Sequence, residues 1–181
     1  GYRKMAETIV DLVMRLLSQE EGLRFVAAKT KNMPISGGHV GGSDAFPQFV
    51  RQKSEEGVRR GLDAALAERW TRLYGSNVDR LFELAERRRE DAERSGLPPE
   101  VLVPLLYAID EEMTVKPVDF FIRRTGALFF NIRWVREWKQ PVIEFMSSAL
   151  GWTLKQRDAY TQELDTALHQ AVVPQVEQGR E

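Results

Sequence analysis

The residues best placed for chemistry are a run of acids followed by two adjacent arginines. Asp110, Glu111 and Glu112 end one predicted helix, and Arg123 and Arg124 lie on the next one. Carboxylates at a helix C-terminus oppose the helix macrodipole and need a compensating positive charge. The pattern fits either an acid–base or anion site, or an ion pair that fixes one helix against the other. Because no histidine lies nearby, we favour a structural polar pair of Glu112 with Arg123 or Arg124.

A glycine-rich segment, SGGHVGGS, is the second candidate for chemistry. It has no preceding strand and no lysine followed by serine or threonine, as a Walker phosphate loop requires. The segment is therefore more typical of a flexible or tightly turning linker. The sequence has no cysteine, and its two histidines, His39 and His169, are far apart. We predict no catalytic residue and no metal ligand in the chain.

The charge pattern excludes some partners. The net charge is −1, and the run ERRREDAER mixes both signs. Such a run is typical of a solvated helix face, so we expect no nucleic-acid partner. No apolar stretch approaches the roughly 20 residues of a membrane span. The four tryptophans are spaced as core residues, although an exposed subset would mark a partner surface instead.

The helices that position these residues are predicted from the periodicity of the apolar residues. Apolar residues at helical spacing predict an amphipathic helix over residues 2–18: Met5, Ile9, Leu12, Val13 and Leu16. Residues 19–46 lose this periodicity, and the loop at 29–46 is long for a connection inside one compact domain. We therefore place a boundary there.

The chain from Phe46 onward reads as helical almost throughout. Asp63, Asn131 and the pair Thr153–Gln156 are predicted caps, and Ser76 with Asp79 is close to a capping box. One predicted helix, 99–113, has an apolar face formed by Leu102, Leu105, Leu106, Ile109 and Met113. No set of strands and no repeat is visible. The predicted class is all-α, with five to seven helices in an orthogonal or bundle-like array.

Four segments, in order, resemble one enzyme family. They are GYRKMAETIVDLV, ERWTRLYGSNVDRLFELA, YAIDEEMTVKPVDFFIRRTGALFF and ALGWTLKQRDAYTQEL. Each is similar to a segment of the aerobic, FAD-dependent glycerol-3-phosphate dehydrogenases and alpha-glycerophosphate oxidases. The resemblance runs from residue 1 to about residue 170.

The resemblance implies an activity and a domain organisation for the full-length enzyme. Such enzymes oxidise sn-glycerol 3-phosphate to dihydroxyacetone phosphate, with electrons passing through FAD to quinone or, in the oxidases, to oxygen. By this resemblance, residues 1–18 would be the last helix of the FAD-binding domain and residues 19–45 a linker. Residues 46–175 would be the C-terminal α-helical domain, and 176–181 a disordered tail.

The resemblance also implies where the cofactor and partners belong. The GxGxxG loop is absent from this sequence, so we expect the chain alone to be inactive and to bind no FAD. In the full-length enzyme, Gly1 and Tyr2 would approach the flavin at a helix N-terminus. The expected partners are the preceding FAD and cap domains, with homo-oligomerisation and peripheral association with the inner face of the cytoplasmic membrane as further options. The expected location is cytoplasmic. The alternative is a self-association or docking module without a redox role.

Overall fold

The computed structural model of the chain describes residues 1–173, without the side chain of Glu93. The described part is all-α, as the sequence predicts, and contains no strand. Its α-helices are α1 (Tyr2–Glu21), α2 (Phe46–Arg59), α3 (Ala64–Tyr74), α4 (Val78–Arg87), α5 (Arg89–Ser95), α6 (Pro99–Glu112), α7 (Ala127–Phe130), α8 (Ile132–Ala149) and α9 (Leu154–Val172). The described part also contains two 3-10 turns, Thr30–Asn32 and Gly75–Asn77, and a π-helical turn, Asp119–Arg124. The predicted tail at 176–181 lies outside the described residues.

Helix α1 runs past its predicted end at residue 18 to Glu21. Gly22 ends it in the left-handed conformation, at φ 68°, which glycine adopts without steric cost. Near its start, Arg3 donates hydrogen bonds to the carbonyls of Thr30 and Met33 at 3.1 and 2.7 Å. No residue of α1 is buried, so this helix contributes nothing to the core.

Helices α2 and α3 pack closely because α2 has a glycine at the contact. Gly57 is buried, and a Cβ atom placed on it would lie 2.8 Å from Cβ of Ala67. The same Cβ would lie 2.9 Å from the ring of Phe82 on α4. These distances are shorter than van der Waals contact, so the absence of a side chain sets the spacing of three helices.

Helix α6 runs through the centre of the core. Every residue from Val101 to Ala108 is buried, including Pro104 inside the helix, which is the pattern of a helix surrounded on all sides. Helices α4 and α5 and the π-helical turn pack against it. The largest fully buried side chains are Trp70, Phe82, Phe120 and Phe121.

Side-chain caps fix the starts of three helices where the sequence predicts them. Asp63, Asn131 and Thr153 accept hydrogen bonds from backbone N–H groups in the first turns of α3, α8 and α9. Gln156 completes the capping box of α9. The capping box predicted at Ser76 is wrong, because a 3-10 turn precedes α4 and no side chain caps that helix.

Candidate functional site

Glu112 and Arg124 meet where α6 ends. Nε of Arg124 lies 3.3 Å from a carboxylate oxygen of Glu112, and its Nη2 donates to the Glu112 carbonyl at 2.6 Å. Nε also lies 3.3 Å from the hydroxyl of the buried Thr114. The last carbonyls of a helix have no partner inside the helix, and its C-terminal end carries partial negative charge. Arg124 therefore satisfies a free carbonyl and balances an acid that opposes the macrodipole.

Arg123 has a different partner from Arg124. Its guanidinium pairs with the carboxylate of Asp119, at the start of the same π-helical turn. The Asp119 carboxylate also accepts a hydrogen bond from the backbone N–H of Lys116 at 3.1 Å. The structure thus brings Glu112 together with Arg124, and it pairs Arg123 locally rather than across helices.

The π-helical turn places both arginines at the surface. The N–H of Thr125 bonds to the carbonyl of Phe120 at 3.0 Å, five residues back along the chain. This wider turn leaves Phe120 and Phe121 buried while Arg123 and Arg124 reach the surface. Single π turns inside helical proteins are frequent at functional positions.

The structure places Met113 outside the apolar face that the sequence predicts for α6. The sequence predicts it on the inward face, but α6 ends at Glu112, and Met113 is 87% exposed. Its backbone is left-handed, at φ 55°, and among the described residues it is the one non-glycine with positive φ. The chain turns sharply here, so that the N–H of Thr114 bonds to the carbonyl of Ala108 at 2.9 Å.

A cavity of about 480 Å³ lies next to this pair. It is bounded by α3, α6, the π-helical turn and the start of α8. Charged side chains line part of it: Arg69, Glu100, Glu112, Arg123 and Arg124. Apolar side chains line another part: Trp70, Leu73, Pro104, Ala127, Phe130 and Trp134. The volume is in the usual range of small-molecule sites.

Two tyrosines and an amide form the inner polar wall of the cavity. The rings of Tyr74 and Tyr107 meet edge to face at 5.2 Å between centroids. Asn77 donates to the hydroxyl of Tyr107 at 3.0 Å and to that of Ser36 at 2.7 Å. Burial, helped by the negative charge of Glu112, raises the pKa of Tyr74 well above its usual value. Burial also raises the pKa of Tyr107, against the hydrogen bond from Asn77.

Sequence reasoning missed these three residues as members of a site. They lie inside two of the segments that carry the family resemblance, YGSN (74–77) and YAIDEE (107–112). No periodicity rule indicates that Tyr74 and Tyr107 touch, because they belong to different helices. The dense cluster of polar residues in YGSN was the available signal.

The glycine-rich segment packs onto the junction between α3 and α4. The N–H of Ser76 bonds to the carbonyl of Gly37 at 2.9 Å. A Cβ on Gly75 would lie 2.1 Å from that carbonyl oxygen, and Gly37 has φ 80°. The segment is thus a tight turn held against the helices near the cavity, at the C-terminal end of the predicted 19–45 linker.

Gly1 and Tyr2 lie at the start of α1 and do not line the cavity. Gly1 precedes α1, no side chain caps this N-terminus, and its first turn has no acidic residue. Tyr2 is 72% exposed. The N–H groups at this end are therefore available to an acceptor.

The described residues contain no metal site and no membrane-spanning helix of a recognisable kind. No group of three or more histidine, cysteine, aspartate or glutamate side chains in residues 1–173 is arranged to hold a metal ion. Within the same range, no helix combines the length and the apolar character needed to cross a bilayer.

Comparison with known proteins gives consistent matches. Residues 28–157 match the family model described as the C-terminal domain of alpha-glycerophosphate oxidase. The aerobic glycerol-3-phosphate dehydrogenase of Bacillus subtilis (strain 168) is 49% identical over 174 residues, which are 96% of this chain and 31% of the relative. That of Staphylococcus epidermidis is 46% identical over 171 residues, 94% of this chain and 30% of the relative.

A solved structure agrees with these sequence matches. It is the glycerol-3-phosphate dehydrogenase from Bacillus halodurans complexed with FAD, at 42% identity and a TM-score of 0.88. The match covers 98% of this chain and 35% of that one. The chain thus spans about a third of the length of the relatives it matches, and the resemblance seen in the sequence motifs is confirmed.

Proposed function

The chain belongs to the family of C-terminal domains of alpha-glycerophosphate oxidase, and from this premise we propose that it is the helical domain of a flavoprotein. The proposed whole enzyme oxidises sn-glycerol 3-phosphate to dihydroxyacetone phosphate and passes the electrons to quinone. In this proposal the chain itself is structural and carries no catalytic residue. The observation that supports it most is 49% identity to an aerobic glycerol-3-phosphate dehydrogenase over 96% of the chain.

The proposed contact with FAD rests on one feature that the chain has and one that it lacks. The uncapped start of α1, at Gly1 and Tyr2, has free N–H groups and a partial positive charge, which suit an electron-rich edge of the isoalloxazine. The GxGxxG loop that would hold the pyrophosphate is absent from the sequence. We therefore propose that this chain contributes one edge contact and that the preceding FAD domain supplies the rest. Bound FAD would supply the hydride acceptor.

The proposed structural role centres on Glu112 and Arg124. Their ion pair and the backbone hydrogen bond join the end of α6, the central helix, to the π-helical turn. Arg123 supports the same turn through Asp119. In the proposal, these contacts hold the end of α6 and the π-helical turn in place inside the domain.

A chimera tests the enzyme proposal. The corresponding C-terminal third of the Bacillus subtilis dehydrogenase is replaced by this chain, and glycerol 3-phosphate oxidation is followed with a quinone analogue as acceptor. We expect an active chimera, whereas the relative truncated before this region should be inactive. A chimera that is soluble and binds FAD as the native relative does, yet fails to oxidise glycerol 3-phosphate, would contradict the proposal.

A second candidate function, self-association or docking, is favoured by one observation. The apolar face of α1 is open, with Ile9, Leu12 and Leu16 exposed by 58%, 49% and 45%. An open apolar stripe of this kind usually marks a surface covered by a partner. In the main proposal the preceding domain covers it, and in the alternative a second copy or the inner face of the cytoplasmic membrane does.

The two functions differ in how the chimera, which has the preceding domains, behaves in solution. Sedimentation equilibrium and flotation with vesicles of phosphatidylglycerol and phosphatidylethanolamine measure the two kinds of association. Self-association or vesicle binding that Leu12→Lys abolishes, with Leu154→Lys as the exposed control on α9, would favour the second function. A monomer that ignores the vesicles would favour the structural one.

A further inference from the structure

We propose that the cavity between α3, α6 and the π-helical turn binds a small organic anion in which the negative group is attached to a flat apolar body. The proposal goes beyond the structural role argued above, because it assigns a ligand to the domain itself. The cavity, at about 480 Å³, has room for a fused two-ring system with a carboxylate.

Arg69 supplies the positive charge for the ligand. It lines the cavity from α3, and it forms no ion pair with any carboxylate in the described part of the chain. Arg72, one turn further along the same helix, pairs with Glu68 at 2.7 Å. Arg69 and Tyr74 line the same cavity, and the positive charge of Arg69 partly offsets the rise that burial causes in the pKa of Tyr74. A cation beside an apolar cavity attracts an anion.

The other two arginines around the cavity are already paired. Arg124 pairs with Glu112, and Arg123 pairs with Asp119. Glu100 lies in the first turn of α6, where the partial positive end of the helix favours its charge. Arg69 is thus left, among the described residues that line the cavity, as the cation without a counter-charge.

The two phenols supply neutral donors beside Arg69. The oxygen of Tyr107 accepts a hydrogen bond from Asn77, so its own O–H is available to donate. Tyr74 makes no side-chain hydrogen bond to the described residues, although it is mostly buried. Because the pKa of each phenol is raised, both keep their protons at neutral pH. A wall of donors selects a ligand rich in acceptor oxygens, as a carboxylate is.

The apolar part of the lining selects the flat apolar body. Trp70 is buried to 2% exposure behind the cavity, and Trp134 is half-buried at its side. Phe130 and Leu73, which also line the cavity, are 90% and 68% exposed. Aromatic rings in this arrangement pack well against a planar ligand. An anion without such a body, for example acetate, would leave these side chains in water.

The tryptophans provide the measurement. The chain has four, and each gives one indole N–H signal in a nitrogen-15 NMR spectrum, assigned by single Trp→Phe variants. The probe is 2-naphthoate, titrated into the 181-residue chain, whose helices bury a core of their own. We expect saturable shifts at Trp70 and Trp134, which line the cavity, and unchanged signals from Trp138 and Trp152, which do not.

Variants and matched ligands decide whether the proposed groups bind the probe. Arg69→Gln should weaken naphthoate binding roughly tenfold, the usual scale for a hydrogen bond to a charged group, while Arg72→Gln on the same helix should leave it unchanged. The neutral 2-naphthalenemethanol and the small anion acetate should each bind at least about fivefold more weakly than naphthoate. Equal binding of the neutral compound, an unaffected Arg69→Gln variant, shifts confined to the other two tryptophans, or no saturation at millimolar probe would each overturn the proposal.

Discussion

Arg124 closes the C-terminal end of α6 by contacting Glu112 twice. It donates to the backbone carbonyl of Glu112 at 2.6 Å, and its Nε lies 3.3 Å from the carboxylate of the same residue. Both side chains are about one-third exposed, at 35% and 32%. Solvent therefore weakens the charge attraction, and the hydrogen bond to the free carbonyl should carry most of the stabilisation.

Replacing the two arginines separately tests this division of roles. We expect Arg124→Met to lower the free energy of unfolding by about 1–2 kcal/mol, because it leaves a helix-end carbonyl without its donor. Arg123→Met should cost less than about 1 kcal/mol, since it removes an exposed local ion pair. Thermal melts followed by circular dichroism measure both, at about 2–4 °C for each kcal/mol in a chain of this size.

Glu112→Gln is the control for the Arg124 contact. It removes the carboxylate charge but keeps the carbonyl that Arg124 binds, so its effect should be smaller than that of Arg124→Met. Melting temperatures unchanged by either arginine substitution would rule out a structural role for the polar pair.

The contact at Gly57 predicts a substitution that is unfavourable despite a better helix former. Gly57→Ala should gain about 0.5–1 kcal/mol of helix propensity. Its new Cβ would lie 2.8 Å from Cβ of Ala67, which cannot move without moving α3. We expect a net loss of about 1–2 kcal/mol from overpacking, measured by urea unfolding. Glu55→Ala, on the exposed side of α2, is the matched control, and a stabilised Gly57→Ala variant would contradict the packing.

The contact between Gly37 and Gly75 predicts that the glycine-rich turn detaches when either gains a side chain. A Cβ on Gly75 would overlap the Gly37 carbonyl oxygen at 2.1 Å. Gly75→Ala should therefore speed hydrogen exchange at the N–H of Ser76, which bonds to that carbonyl. Gly22→Ala is the control, because Gly22 also has positive φ but no atom within 4 Å of the added carbon. Equal exchange of the Ser76 N–H in both variants would show that steric overlap is not the cause.

The sequence predicted local features well and long-range ones poorly. Asp63 and Asn131 were predictable as caps because a cap depends on the residues in the next turn. The π-helical turn was not, since its wider hydrogen bonds arise from packing Phe120 and Phe121 inward together. The cavity was equally out of reach, because it forms where side chains from separate helices meet. A cation beside Glu112 was predictable because helix-end electrostatics requires one, but the sequence left the choice between Arg123 and Arg124 open, and the structure places Arg124 there.

The ion pairs around Glu56 on α2 predict how stability falls in acid. Nζ of Lys53 lies 2.9 Å from Glu56 and 2.7 Å from Asp79, and Arg60 reaches Glu56 at 2.7 Å. The hydrogen bond from Lys53, against the effect of burial, lowers the pKa of Glu56 below its ordinary 4.5. A carboxyl whose pKa is depressed by folding stabilises the fold above the unfolded pKa, and this stabilisation is lost as the pH falls through the folded value.

Glu56→Gln should therefore lower the free energy of unfolding by up to about 1 kcal/mol at pH 7 and by progressively less below pH 4.5. Urea unfolding of the wild type and the variant at pH 7, 4 and 3 measures this difference, with the exposed neighbour Glu55→Gln as control. A difference between wild type and Glu56→Gln that stays constant down to pH 3 would show that the carboxylate charge contributes nothing.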